Sequence, residues 1–201
     1  MTAPDSAVSE WITGLAGRCS FCDDVMSLLA SDFFIPVSMS MFMLFLWFGT
    51  GDPDRRKKNQ YGAMCASASL GFANLAVHLL NQVLEFDPWI RPFEAHESAA
   101  RAAELILYFP HDPSFPANMA ASTFGAAVGM WIYSRKTSIP IFAIAIAWSF
   151  ARIYAGIHYP LDILGGTVIG AVIALGTWGL MRLIWPLPAV CFWFAKKLYA
   201  A

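Results

Sequence analysis

The chain has 201 residues, 58% of them hydrophobic and only 13% charged, with a formal net charge of −1. That composition is too apolar for a soluble domain of this length, so an integral membrane protein is expected. The balanced charge, with no basic tail and no aromatic-basic interleaving, speaks against nucleic acid as a partner.

The first segment, Met1 to Glu10, is polar and acidic and lacks the basic and apolar regions of a secretory signal. Insertion is therefore expected to rely on the first spanning helix. Ser9 to Ala30 alternates Trp11, Ile12, Leu15, Phe21, Val25 and Met26 with Arg18, Asp23 and Asp24. Such a pattern lies on a membrane better than it crosses one, and a soluble-facing helix packed over the bundle is the alternative. Residues 1–32 are accordingly expected to be an N-terminal extracytoplasmic or interfacial helix, and 33–201 a membrane bundle. Cys19 and Cys22 have C-x-x-C spacing without a βαβ pattern or a second pair, which argues against a redox or zinc role.

Five apolar runs follow: Phe33 to Phe48, Gln60 to Leu84, Pro116 to Ser134, Ser138 to Gly156 and Leu161 to Trp185. An all-α, polytopic transmembrane bundle of about five spanning helices plus the N-terminal amphipathic helix is the predicted fold. Arg55 to Lys58, Arg135, Lys136, Arg182, Lys196 and Lys197 all fall on one side of it, which the positive-inside rule makes cytoplasmic. Gly125-x-x-x-Gly129 and Gly166-x-x-x-Gly170 offer small faces for close helix packing.

Three polar elements converge on the opposite side. Arg91-Pro92-Phe93 lies in a long loop, Pro113 to Met119 opens the third span, and Arg152 to Asp162 joins the fourth and fifth. Charged groups are costly inside apolar runs, so the cluster is a functional-site hypothesis, and an anionic ligand would offset its cost. Pro116 and Pro160 suit the first position of a helix. The residues after each, Ala117 and Asn118 among them, would then present unused amides to an anion. Arg91 and Arg152 would add bidentate contacts to phosphoryl oxygens. His158 and Asp162 are four residues apart; a carboxylate accepting the imidazole Nδ1–H would leave Nε2 as nucleophile or base. A simple helix-capping His–Asp pair is the alternative.

These motifs resemble the type-2 phosphatidic acid phosphatase superfamily. Arg152, His158 and Asp162 match its third motif, and Asn81-Gln82, Arg91-Pro92-Phe93 and Ser114-Phe115-Pro116 resemble in particular the bacterial undecaprenyl-diphosphate phosphatase branch. The resemblance covers roughly residues 60 to 185. It implies that His158 attacks phosphorus to form a phosphohistidine, that Asp162 orients it, and that Arg91 and Arg152 hold the phosphoryl oxygens. It implies no metal and no cofactor. The substrate would be an isoprenoid or other lipid phosphate in a bacterial inner membrane, with the site on the periplasmic side.

The chain departs from the family at its second motif. Pro116-Ala117-Asn118-Met119 stands where the family has Pro-Ser-x-His, so the hydroxyl and the leaving-group acid are both missing. A thioether carries no proton, and losing a general acid typically costs roughly 10²- to 10⁴-fold in rate. The family's loop Lys falls on Leu84 and the Ser before its third-motif Arg on Ala151. A diphosphate expels a weakly basic monophosphate, for which protonation matters less, and His111 is the nearest substitute acid. The sequence therefore supports a polyprenyl diphosphate phosphatase that is impaired or inactive because of Met119. The rival is a non-catalytic lipid-phosphate binder or partner subunit. A transporter is disfavoured, since the polar groups gather at one surface.

Overall fold

The computed structural model describes residues 3–83, 90–106, 109–110 and 112–197. Ten helices are present among them: α1 (Ala3–Thr13), α2 (Ser20–Ala30), α3 (Phe34–Phe48), α4 (Pro53–Val83), α5 (Pro92–Ala95), α6 (Glu97–Ile106), α7 (Asn118–Tyr133), α8 (Arg135–Tyr154), α9 (Pro160–Leu183) and α10 (Leu187–Lys197). The described residues contain no strand, in keeping with the all-α expectation.

The long spans follow from ordinary helix chemistry. Asp52 caps α4 by accepting the N–H groups of Asp54 (2.9 Å) and Arg55 (3.2 Å). Pro160 opens α9, where its missing N–H costs nothing. One side of α9 exposes Leu164, Val168, Val172 and Leu175 in a helical stripe, which is the face lipid would cover.

α7 is the axis of the bundle, packed against α4, α8 and α9. Its buried positions are small up to Met130, with Ala120, Ala121, Ser122, Gly125, Ala126 and Gly129 among them. This smoothness lets backbones meet. A Cβ on Gly166 would lie 2.3 Å from the Ala117 carbonyl oxygen, and one on Gly170 would lie 2.2 Å from that of Ala121. Gly125, Gly166 and Gly170 thus set the close α7–α9 crossing, while Gly129 faces Ala66 and Ser69 of α4. On the far side of α7, Met39, Met43 and Leu46 of α3 join Met130, Ile141 and Trp148 in the main apolar core.

Among the described residues fewer helices are long enough to span than the about five expected. α4, α8 and α9 are long and apolar enough to cross a membrane, and α2 with α3 makes a fourth only as a pair bent by 63°. α3 has 15 residues and α7 has 16, so each reaches about 22–24 Å, short of the roughly 30 Å of a hydrocarbon core. For α7 the shortfall has a physical reason, since it is wrapped by other helices and presents little surface to lipid.

The N-terminal stretch forms two helices rather than one. A break after Thr13, with Gly17 at φ +81°, separates α1 from α2, and Cys19 and Cys22 are joined by a disulfide at the start of α2. α1 packs on α6, α8 and α9, while α2 packs on α8, α3 and α6. Lys57 and Arg182 line one cavity, and Arg55, Lys58, Arg135 and Lys136 line a neighbouring one that shares Tyr133. The basic residues therefore gather at one end of the bundle, and the α8–α9 elbow lies at the other.

Candidate active site

The elbow between α8 and α9 carries His158. α8 stops at Tyr154, and Gly156 turns the chain with φ +68°. A side chain there would be strained, and its Cβ would lie 2.6 Å from the Ala99 carbonyl oxygen of α6. The Gly156 carbonyl in turn accepts the Phe93 N–H at 3.0 Å, which fixes α5 beside the elbow.

His158 is buried, and its Nδ1 lies 3.1 Å from the carbonyl oxygen of Ser114. A carbonyl can only accept, so Nδ1 must carry the proton and Nε2 presents its lone pair. Burial pushes the imidazole below its ordinary value of 6.5; Asp162 opposes that, while Arg91 and Arg152 add to the lowering. His158 is therefore neutral at physiological pH.

Asp162 reaches the imidazole at second hand. Its Oδ2 is 3.8 Å from His158 Nδ1, beyond hydrogen-bond length, and instead accepts the Ser114 hydroxyl at 2.5 Å and the Tyr159 N–H at 2.8 Å. The direct carboxylate–imidazole bond expected from the four-residue spacing is thus replaced by a Ser114 bridge. The reason lies in the helix end. Asp162 occupies the third helical position of α9, where its carboxylate turns back to cap the Tyr159 amide.

Arg91 is buried and bound to backbone. Its Nε donates to Asp112 O (2.9 Å), Nη1 to Ile157 O (3.0 Å), and Nη2 to Asp112 Oδ1 (2.9 Å) and Pro113 O (3.4 Å). The guanidinium expected to grip phosphoryl oxygens here ties the loop before Ser114 to the residue before His158. Arg152, buried in the last turn of α8, stacks over Trp148 at 5.6 Å and pairs through Nη2 with Asp32. Asp32 belongs to the turn between α2 and α3 and is 44% exposed.

The two helix N-termini differ from their expected form. Pro116 precedes the N-cap of α7 instead of opening the helix; the N-cap is Ala117, whose N–H donates to Asp162 O at 3.1 Å. Ala117 is fully buried, so its amide serves the α7–α9 junction rather than a ligand. The first helical amides of α7 then begin at Asn118, with Met119 next. At α9 an anion is already in place: Asp5 of α1 accepts the Leu161 N–H at 3.1 Å. Met119 is partly buried against the core that holds Met39 and Trp148, which Leu29 of α2 also joins. His111 lies outside the described residues, as does Leu84.

Helices thus deliver an imidazole with its proton placed on Nδ1, two buried guanidiniums and the N-terminus of α7 to the same end of the bundle. Sequence reading did not single out Ser114, Asp5 or Asp32. Ser114 stood inside a quoted motif and carried a signal; the two aspartates, over 100 residues from their partners, carried none.

Fold and site together define an integral membrane enzyme of the phosphatase class. The chain belongs to the PAP2 superfamily, which it matches over residues 62–186. It is 27% identical over 162 residues to undecaprenyl-diphosphatase BcrC of Bacillus subtilis, covering 81% of this chain and 76% of that protein. It is 28% identical over 185 residues to the putative undecaprenyl-diphosphatase YbjG of Escherichia coli, covering 90% and 77%. Its fold is similar to that of a transmembrane PAP2 type phosphatidylglycerolphosphate phosphatase from Bacillus subtilis, with a TM-score of 0.56 and 19% identity over 92% of this chain and 90% of that one.

Proposed function

We propose that the protein hydrolyses a polyprenyl diphosphate, of the undecaprenyl type, to the monophosphate and inorganic phosphate through a phosphohistidine on His158. The observation that carries this reading is the Ser114 carbonyl 3.1 Å from His158 Nδ1, which leaves Nε2 unprotonated without a base to deprotonate it. Nε2 attacks the terminal phosphorus as the bond to the bridging oxygen breaks, and the polyprenyl monophosphate leaves. Arg152 and the Asn118 end of α7 hold the equatorial oxygens, and Arg91 keeps the Ser114 and His158 segments in register. Asp162 acts through Ser114. The relatives named as undecaprenyl-diphosphatases support the substrate class.

The basic end of the bundle faces the cytoplasm on the positive-inside rule, and the elbow faces the periplasm of a bacterial inner membrane. The 33–201 bundle is the catalytic unit, with residues 1–32 docked over its site end. An apolar groove of about 490 Å³ between α4 and α9, lined by Leu80, Val83, Val168 and Val172, is of a kind that accepts an isoprenoid chain. The test is phosphate release from undecaprenyl diphosphate by purified protein in detergent. Phosphate release that His158→Ala abolishes is the expected result; release that survives this substitution removes His158 as nucleophile.

Met119 favours a second reading, a lipid-phosphate binder without turnover. A thioether stands where the family resemblance puts the leaving-group acid, and sulfur cannot supply a proton. Binding of polyprenyl diphosphate that weakens on Arg152→Ala, with no phosphate released even by Met119→His, would establish it.

A further inference from the structure

The phosphohistidine must be hydrolysed as well as formed, and that step needs a group to take a proton from water. His158 cannot serve, because its Nε2 is bonded to phosphorus in the intermediate. Met119 has no proton chemistry. Most other carboxylates around the site are engaged elsewhere. Asp162 is fully buried between Ser114 and Tyr159, Asp5 caps Leu161, Asp23 accepts the Tyr154 hydroxyl at 2.6 Å, and Asp112 answers Arg91.

Asp32 differs from these in position. It is the carboxylate paired with the Arg152 guanidinium, it is carried by the α2–α3 turn, and it is 44% exposed where Arg152 is buried. A guanidinium offers five N–H donors in a planar fork, so one arginine can hold a carboxylate and a phosphoryl group side by side. A phosphoryl group and the Asp32 carboxylate would then be neighbours on one guanidinium. Leu29, three residues before Asp32, packs against Ala151, Ala155 and Ile157, which flank Arg152 and His158 in the chain.

We propose that Asp32 is the general base that activates water to hydrolyse the phosphohistidine. This rests on the reading of His158 as nucleophile. The water oxygen attacks phosphorus, its proton passes to Asp32, and the P–N bond breaks with its electron pair returning to Nε2. Inorganic phosphate leaves, and Asp32 then gives its proton to solvent. The design suits a diphosphate substrate: the first step expels a weakly basic monophosphate and needs little acid help, while the second needs a base. A carboxylate paired with Arg152 supplies the base and not the acid.

The test uses polyprenyl diphosphate labelled in its terminal phosphorus, with wild-type protein, Asp32→Asn and Asp32→Glu. Asp32→Asn should lower steady-state phosphate release about 100-fold. It should still release one polyprenyl monophosphate per chain in a first turnover and accumulate acid-labile label on the protein. That first turnover also shows that the variant is folded. Asp32→Glu should restore part of the release and lower the labelled fraction. Turnover by Asp32→Asn at or above the wild-type rate would overturn the proposal, as would loss of phosphoenzyme in proportion to turnover, which would reduce Asp32 to a counter-ion of Arg152. If wild-type protein neither labels nor releases phosphate, the phosphatase reading fails and this one with it. If wild-type turns over and Asp32→Asn matches it, this one fails alone.

Discussion

Ser114 holds His158 by its backbone: the carbonyl oxygen lies 3.1 Å from the imidazole Nδ1, and the Ser114 hydroxyl donates to Asp162 at 2.5 Å. The tautomer of the proposed nucleophile therefore depends on a main-chain atom, and only the aim of that atom depends on a side chain. Ser114→Ala removes the aim and keeps the acceptor. Turnover should fall about tenfold with KM little changed, and unfolding should become easier by about 1–3 kcal/mol, because a buried Asp162 oxygen loses a donor. Steady-state kinetics and a thermal melt check the two parts separately.

The His158 environment sets a pH profile. Activity needs the neutral imidazole, and burial holds its folded value below 6.5. On lowering the pH, kcat/KM should stay level past 6.5 and fall only at more acid pH. Stability runs differently, because the unfolded chain takes up the proton first. The contribution of a neutral buried His158 is fully present above 6.5 and is lost as the pH drops from there to the lower folded value. Asp162→Asn removes the group that opposes the lowering, so the acid limb of any residual activity should move further down. An acid limb at or above 6.5 in the wild-type protein would contradict this account.

Much of this arrangement was readable in advance. The apolar runs, the small faces of Gly125, Gly166 and Gly170, and the grouping of Arg152, His158 and Asp162 depend on local period and spacing, which a single chain displays. What was hidden depends on which distant segment arrives. Asp32 on Arg152 and Asp5 on Leu161 join positions 120 and 156 residues apart. Acidic residues in a polar N-terminal stretch look alike before folding chooses their partners. Arg91 was expected as a phosphate ligand, yet its engagement with three backbone carbonyls depends on loop conformation rather than residue type. Ala117 shows the same limit, since a shift of two residues in the start of α7 turned its amide from the ligand to Asp162.

Arg152 should not tolerate lysine. The guanidinium is buried, stacked on Trp148 and paired with Asp32, and a single ammonium can hold either the carboxylate or a phosphoryl group but lacks the planar fork to hold both. Arg152→Lys should raise KM for a polyprenyl diphosphate and lower kcat, with kcat/KM down about 100-fold or more, equal to about 2.7 kcal/mol of lost transition-state stabilisation. A kcat/KM within threefold of wild type would show that this arginine is not a phosphoryl ligand.

The α7–α9 crossing should be the least forgiving part of the scaffold. Gly170→Ala places a methyl 2.2 Å from the Ala121 carbonyl oxygen, and Gly166→Ala one 2.3 Å from that of Ala117. Both contacts are with backbone, so the helices must separate, and the Ala117–Asp162 hydrogen bond next to the site separates with them. Each substitution should destabilise the protein by about 1–3 kcal/mol or prevent folding. Gly176→Ala and Gly179→Ala, which would meet nothing within 4 Å, are the controls and should leave the melting temperature unchanged or raise it slightly.

Asp5 offers a test of how α1 is fastened over the elbow. Its carboxylate is buried, accepts the Leu161 N–H and lies close enough to Asp162 to be repelled by it; burial, first of all, raises its pKa above 3.8. An acid with a raised folded value is a burden when ionised: stability is greatest below 3.8 and declines as the pH rises through the folded value. Asp5→Asn keeps an oxygen acceptor for Leu161 and removes the charge, so at pH 7 it should be neutral or stabilising. Asp5→Ala removes the acceptor too and leaves an amide at the first turn of α9 without it, which should cost about 0.5–2 kcal/mol, the usual range for losing an N-terminal cap. Melts of the two variants at pH 7 separate the hydrogen bond from the charge. A loss for Asn as large as that for Ala would mean that the negative charge itself, set against the N-terminus of α9, holds α1 in place.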